Sequence, residues 1–147
     1  MLDKGLNDMF MYIISLGADP NMKNKHGATL MHKAAKDDNT SLITYLRDKL
    51  GFSICETDCH GNTPLHYSCF EGNTFASYWL IGFGQKVNAT NNNNDTPLHC
   101  IMRSKKKLKN SKIVRELIFK GADKELKNKD NLTPIEMIDN DLPKSLK

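Results

Sequence analysis

A chain of 147 residues, 39% hydrophobic and carrying a formal charge of +4, is sized for one domain with a stacked apolar core. Its lysines and acids are interspersed, so composition alone does not predict nucleic-acid binding, and no run of about 18 apolar residues marks a membrane span. The N-terminus lacks the basic-then-apolar order of a secretory leader, and the four cysteines at 55, 59, 69 and 100 follow no disulfide framework, so reduced thiols and a cytoplasmic location are expected.

Taken in chain order, Leu6, Met9 or Phe10, Ile13 and Leu16 recur at helical spacing until Gly17 stops them, which predicts an amphipathic helix over 2–16. Its apolar stripe should pack on the next helices, while Met11, Tyr12 and Ile14 lie off that stripe and point to further chain upstream. Helix pairs are then expected at 30–37 and 41–50, at 65–71 and 75–83, and at 98–104 and 111–120. A last helix should run from Pro134 to about Asn140, before Pro143 stops it.

These pairs repeat. Thr29, Thr63, Thr96 and Thr133 are spaced by 34, 33 and 37 residues, and Gly17, Gly51, Gly84 and Gly121 by the same intervals. Two markers in lockstep divide the chain into a half repeat at 1–23, repeats at 24–57, 58–90 and 91–127, and a half repeat at 128–147. The threonines suit helix caps, Pro64, Pro97 and Pro134 suit first helical positions, and the leucines beside them suit the core. Asn94 stands where the turn glycine belongs, asparagine being the least costly substitute at positive φ.

Thr63-Pro64-Leu65-His66 at the head of a 33-residue period, with Gly121-Ala122-Asp123 at the tail of another, resembles the ankyrin repeat family over essentially the whole length. The resemblance implies an all-α solenoid of helix-turn-helix repeats with β-hairpin loops. It also implies that His32, His66 and His99 bond the capping threonines and nearby backbone, which makes them architecture rather than catalysts. No serine or cysteine nucleophile has an assignable histidine and carboxylate, and no glycine-rich phosphate loop is present, so neither catalysis nor a cofactor is expected. Zinc at Cys55, Cys59, His60 and Cys69 lacks a second ligand pair; Cys69 and Cys100 suit small buried thiols, and no metal is expected.

What remains is a surface. Ankyrin proteins usually grip partners with hairpin tips and the exposed side of each first helix, on the concave face. By that resemblance the candidates here are Lys25, His26, Lys33 and Lys36, then Cys59, His60, Asn62, Tyr67, Phe70 and Glu71, then Asn92, Asn93, Asp95, Cys100 and Arg103. Tyr67 and Phe70 are the sharpest, because aromatic anchors often dominate interfaces, with lateral packing between first helices as the competing role. Trp79, beside Leu80 and Ile81, suits packing. The expected partner is a protein or extended peptide, with no small-molecule substrate.

The basic cluster Arg103, Lys105, Lys106, Lys107, Lys109 and Lys112 is either a solvated inter-helix loop or a contact for anionic lipid, phosphate or an acidic partner. No aromatic residues are interleaved, which disfavours single-stranded nucleic acid. The run 74–98, this basic extension before Lys112 to Ile118, and Thr133-Pro134-Ile135 are similar to the cytosolic ankyrin region of Asp-His-His-Cys protein S-acyltransferases. That resemblance implies a region that recruits substrates beside a membrane domain which transfers palmitate. The sequence holds neither the membrane spans nor the cysteine-rich motif, so catalysis is not expected of it alone.

Overall fold

The computed structural model describes residues 2–104 and 111–137. Seven α-helices are described: α1 (Leu2–Ser15), α2 (Leu30–Lys36), α3 (Thr40–Asp48), α4 (Pro64–Glu71), α5 (Thr74–Gly82), α6 (Pro97–Arg103) and α7 (Ser111–Phe119). The first helices α2, α4 and α6 pack side by side, and each lies against its own second helix in α3, α5 and α7. The expected fourth-unit helix is described only as far as Met137, and the expected lysines at 105, 106, 107 and 109 lie outside the described residues.

An acceptor side chain opens each repeat and shapes its turn. Asn24 Oδ1 accepts from the His26 and Ala28 N–H groups, Asp58 Oδ1 from those of His60 and Asn62, Asn91 Oδ1 from Asn93 and Asp95, and Asn128 Oδ1 from Asp130 and Leu132. Such Asx turns replace a backbone partner with a carboxamide or carboxylate oxygen. No strand forms among the described residues; instead one backbone hydrogen bond joins each tip to the next, from Cys59 N to His26 O, Asn92 N to His60 O and Lys129 N to Asn93 O, all 2.9 Å. Asn94 takes the left-handed conformation expected of it, at φ 57°.

Each first helix is capped by threonine and histidine acting together. Nδ1 of His32, His66 and His99 lies 3.1 Å from the N–H of Thr29, Thr63 and Thr96, and Nε2 reaches the carbonyl of Asn62, Asp95 and Leu132 in the following repeat at 2.9, 3.0 and 3.1 Å. An amide can only donate and a carbonyl can only accept, so both contacts together require the neutral Nε2–H tautomer. Burial pushes the pKa of His32 and His66 down against the opposing pull of those carbonyls. In the last unit Glu136 takes the position, accepting from both the N–H and the hydroxyl of Thr133.

Met31, Ile43, Leu46, Leu65, Leu80, Leu98, Ile101, Ile113 and Leu117 form the continuous core between the two helix layers. Helix α1 keeps Phe10 of the expected stripe and departs from the rest. Phe10 and the half-buried Ile14 turn inward, with Phe10 packing on the core, whereas Met9, Ile13 and Leu16 are exposed. The helix leans mainly on α3, so only a narrow stripe is covered, and that stripe is rotated from the expected one.

Candidate functional site

The concave side holds a groove of about 400 Å³ between the hairpin tips and helices α2, α4 and α6. It brings together Lys36, His60, Asn62, Tyr67, Phe70, Glu71, Asn92, Asn93, Cys100 and Arg103, along with His66 and Asn91. Helix geometry explains the grouping. Leu65 and Cys69 point into the core while Phe70, on the opposite flank of α4, is left 50% exposed.

Phe70 and Tyr67 differ in freedom. The Tyr67 hydroxyl donates to Asp58 Oδ2 at 2.8 Å, and its ring stands edge-on to His32 with centroids 5.1 Å apart. Burial, then the bond to Asp58, drives the phenol pKa well above its ordinary value. Burial alone would raise the Asp58 carboxyl, but hydrogen bonds from the Asn62 amide, the Tyr67 hydroxyl and the His60 amide outweigh it and hold the carboxyl low. Tyr67 therefore serves lateral packing at least as much as display, and Phe70 is the open aromatic.

Two of the expected contact residues belong to the interior. Asp95 is 1% exposed; its Oδ1 accepts from Asn128 Nδ2 at 2.9 Å and its Oδ2 lies 3.2 Å from Arg103 Nη1. That second contact is an ion pair rather than a directed hydrogen bond, since Oδ2 has no partner of hydrogen-bonding geometry among the described residues. Asp95 thus anchors Arg103 from beneath. Cys100 reaches the groove wall but is buried in the core, which drives its thiol pKa far up.

Beyond the groove, His26, Lys33, Lys36 and Tyr67 line a second hollow of about 560 Å³ with Phe10, Ile13 and Met22. Lys33 pairs with Asp37 at 2.8 Å, and Lys25 and Cys59 are exposed on the tips. Of the basic cluster, Arg103 faces the groove whereas Lys112 borders a separate outer hollow with Tyr78 and Phe119, so these two do not share a surface depression. Trp79 also departs from expectation. It is 44% exposed on α5, packs at a tilt against Phe83 with ring centroids 5.3 Å apart and leaves the core to Leu80 and Ile81.

A family model for ankyrin repeats in three copies matches residues 2–91 and 52–128. The chain belongs to the ankyrin repeat family. It is 28% identical over 117 residues to the palmitoyltransferase AKR1 of Lachancea kluyveri, an alignment covering 76% of this chain and 15% of that protein. It is 27% identical over 126 residues to the human SH3 and multiple ankyrin repeat domains protein 2, covering 85% of this chain and 6% of that protein. Similarity to the monkeypox virus inhibitor of apoptosis OPG037 is 30% over 99 residues, covering 65% and 22%. The chain therefore spans only a small part of each relative's length.

The ankyrin architecture accounts for the cysteines singly. Cys69 is fully buried, its thiol pushed up to about 12 by burial, whereas Cys55 and Cys59 are exposed and all four are free. The zinc set considered from the sequence is therefore not assembled, because Cys69 points into the core. Stacking instead places His26, Cys59 and His60 so that their ligating atoms lie within 4.8 Å of one another. His26 is a candidate contact from the sequence, and its place one repeat before His60 is what could have joined it to Cys59 and His60; Asn91, a groove residue missed, belongs to a turn that only the Asx pattern marks.

Proposed function

We propose that this ankyrin domain binds a protein partner through the concave groove, taking an extended segment whose apolar side chain rests on Phe70 and whose carboxylates face Lys36 and Arg103. The single observation that carries this reading is the exposed Phe70 ring between those two cations in one concave depression. Ankyrin repeats are protein-interaction modules as a class, and aromatic and arginine side chains supply most anchor energy at interfaces. Peptides selected from a random display library against this chain should share an apolar residue flanked by acids. Phe70→Ala should weaken them at least tenfold and Lys36→Glu should favour basic variants. Binding that survives Phe70→Ala but is lost with Trp79→Ala would move the site to the outer face.

A second reading is favoured by the similarity to a palmitoyltransferase: the domain recruits substrates for an S-acyltransferase whose membrane part belongs to the same polypeptide. In either case we place the domain in the cytoplasm, at the cytosolic side of a membrane in the second, and the four unpaired thiols support that placement. Immunoblotting of the fractionated endogenous protein separates the two readings. A soluble product near 16.6 kDa retires the acyltransferase reading, and a much larger membrane-bound one supports it.

A further inference from the structure

We propose that His26, Cys59 and His60 form a transition-metal site, best suited to zinc, which clamps the hairpin tips of the first two full repeats. The site arises from the stacking. His26 and His60 hold the same place in successive turns, each just before a turn glycine at φ 72° and 75°, so the repeat sets their rings side by side with centroids 6.2 Å apart. The hydrogen bond from Cys59 N to His26 O, 2.9 Å long, brings the thiol to the same spot from the adjacent position. A Cβ on Gly27 would lie 3.0 Å from Cys59 N, so the tips pack more closely than a residue with a side chain at that position would comfortably allow.

Two imidazoles and a thiolate are a borderline-soft donor set, which selects zinc over calcium or magnesium. Tetrahedral Zn–N and Zn–S bonds of about 2.0–2.3 Å separate donor atoms by roughly 3.3–3.8 Å. The observed spread of up to 4.8 Å closes by side-chain rotation alone, since all three residues are exposed and their backbone is fixed by the turns. On binding, Cys59 Sγ forms the Zn–S bond and its proton leaves to solvent, the imidazoles bind as neutral ligands, and no electron is transferred. Three protein ligands leave the fourth position to water or to a donor from another molecule. His60 also lines the groove, which puts the ion at the groove's margin. The site stands independently of whether the groove binds a peptide.

Cobalt substitution tests it. The reduced protein should take up one Co²⁺ with the near-ultraviolet band of a thiolate ligand and the visible bands of four-coordinate cobalt, and Zn²⁺ should bleach both. His26→Ala, His60→Ala and Cys59→Ser should each weaken uptake by more than about 100-fold, since even outer partners of metal ligands are worth 10–100-fold. Cys59→Ser should also remove the thiolate band, and Cys55→Ser should change nothing. Circular dichroism should be the same for every variant, the residues being exposed. Co²⁺ uptake by His26→Ala or His60→Ala as tight as that of the wild type, a thiolate band that survives Cys59→Ser or disappears in Cys55→Ser, or a wild-type protein with no saturable uptake, overturns the proposal.

Discussion

Replacing His66 with alanine tests the claim that the buried imidazoles hold the stack together. In the native protein Nδ1 accepts from the Thr63 amide at 3.1 Å and Nε2–H donates to the Asp95 carbonyl at 3.0 Å, the ring being 2% exposed. Without the ring, the Thr63 amide is left buried and unpaired, at a cost of about 1–3 kcal/mol. The Asp95 carbonyl still accepts from the Asn91 amide at 3.0 Å, so its loss is the smaller one, about 0.5–1.5 kcal/mol. A void where the ring stood adds roughly 1 kcal/mol, giving a total near 3–5 kcal/mol against a typical domain stability of about 5–15. Urea unfolding followed by circular dichroism, with His60→Ala in chelator as the exposed control, measures the difference. A loss under about 1 kcal/mol for His66→Ala, or equal losses for the two variants, would refute the reasoning.

Three further outcomes rest on the same geometry. His32 and His66 have folded pKa values below the unfolded value of about 6.5, so the unfolded chain binds the extra protons. Their contribution is full above pH 6.5 and is lost as pH falls toward the folded values, with a slope of up to about 2.7 kcal/mol per pH unit for the pair; a urea midpoint that is flat from pH 7 to 5.5 contradicts it. Gln85, 4% exposed, has an amide without a partner among the described residues and occupies the tail position filled by Ala18 and Ala122 elsewhere. Gln85→Ala should therefore raise stability by about 1 kcal/mol in thermal unfolding, and a lowered midpoint would show the amide to be satisfied. Gly61→Ala should cost more than Gly84→Ala in the same assay. Both have positive φ, but only at Gly61 would a Cβ meet Asn92, 2.6 Å from Oδ1 and 3.0 Å from the backbone nitrogen; equal losses contradict this.

The repeat is legible in the sequence because one solution to helix capping is written four times, at Thr29, Thr63, Thr96 and Thr133. Helix positions agree within a residue or two, since threonine caps and first-turn prolines mark starts independently of packing. The concave candidates come from position within the repeat, and ten of them do converge on the groove. Asp95 and the burial of Cys100 escape such a reading because position along a repeat does not tell a surface side chain from one that turns under it: Asp95 finds Asn128 across a repeat boundary, and Cys100, though at the groove wall, is small enough to enter the core. Trp79 escapes it for the opposite reason, because the run Trp79-Leu80-Ile81 is apolar all round and periodicity alone cannot choose which side chain faces out. The stripe of α1 is a similar case, a helix that leans mainly on α3 being freer than an inner helix to settle its own rotation.

The row of imidazoles gives the stack a direction. Each first helix is capped within its own repeat, yet the histidine doing so is steadied by a carbonyl that only the next repeat supplies. For the caps of the first helices, dependence therefore runs one way along the solenoid: such a helix can lose the preceding repeat and keep its cap, but losing the following one frees the imidazole to turn. The second helix α5 leans the other way, its Ala76 N–H donating to Asp38 Oδ1 of the preceding repeat at 2.7 Å. Unfolding that starts at the C-terminal side should uncap the first helix of the neighbour it exposes and travel toward α1, whereas fraying of α1 leaves the Thr29–His32 cap of α2 in place. Glu136 interrupts the sequence of dependence, since its carboxylate meets both donors of Thr133 and asks nothing of a further repeat.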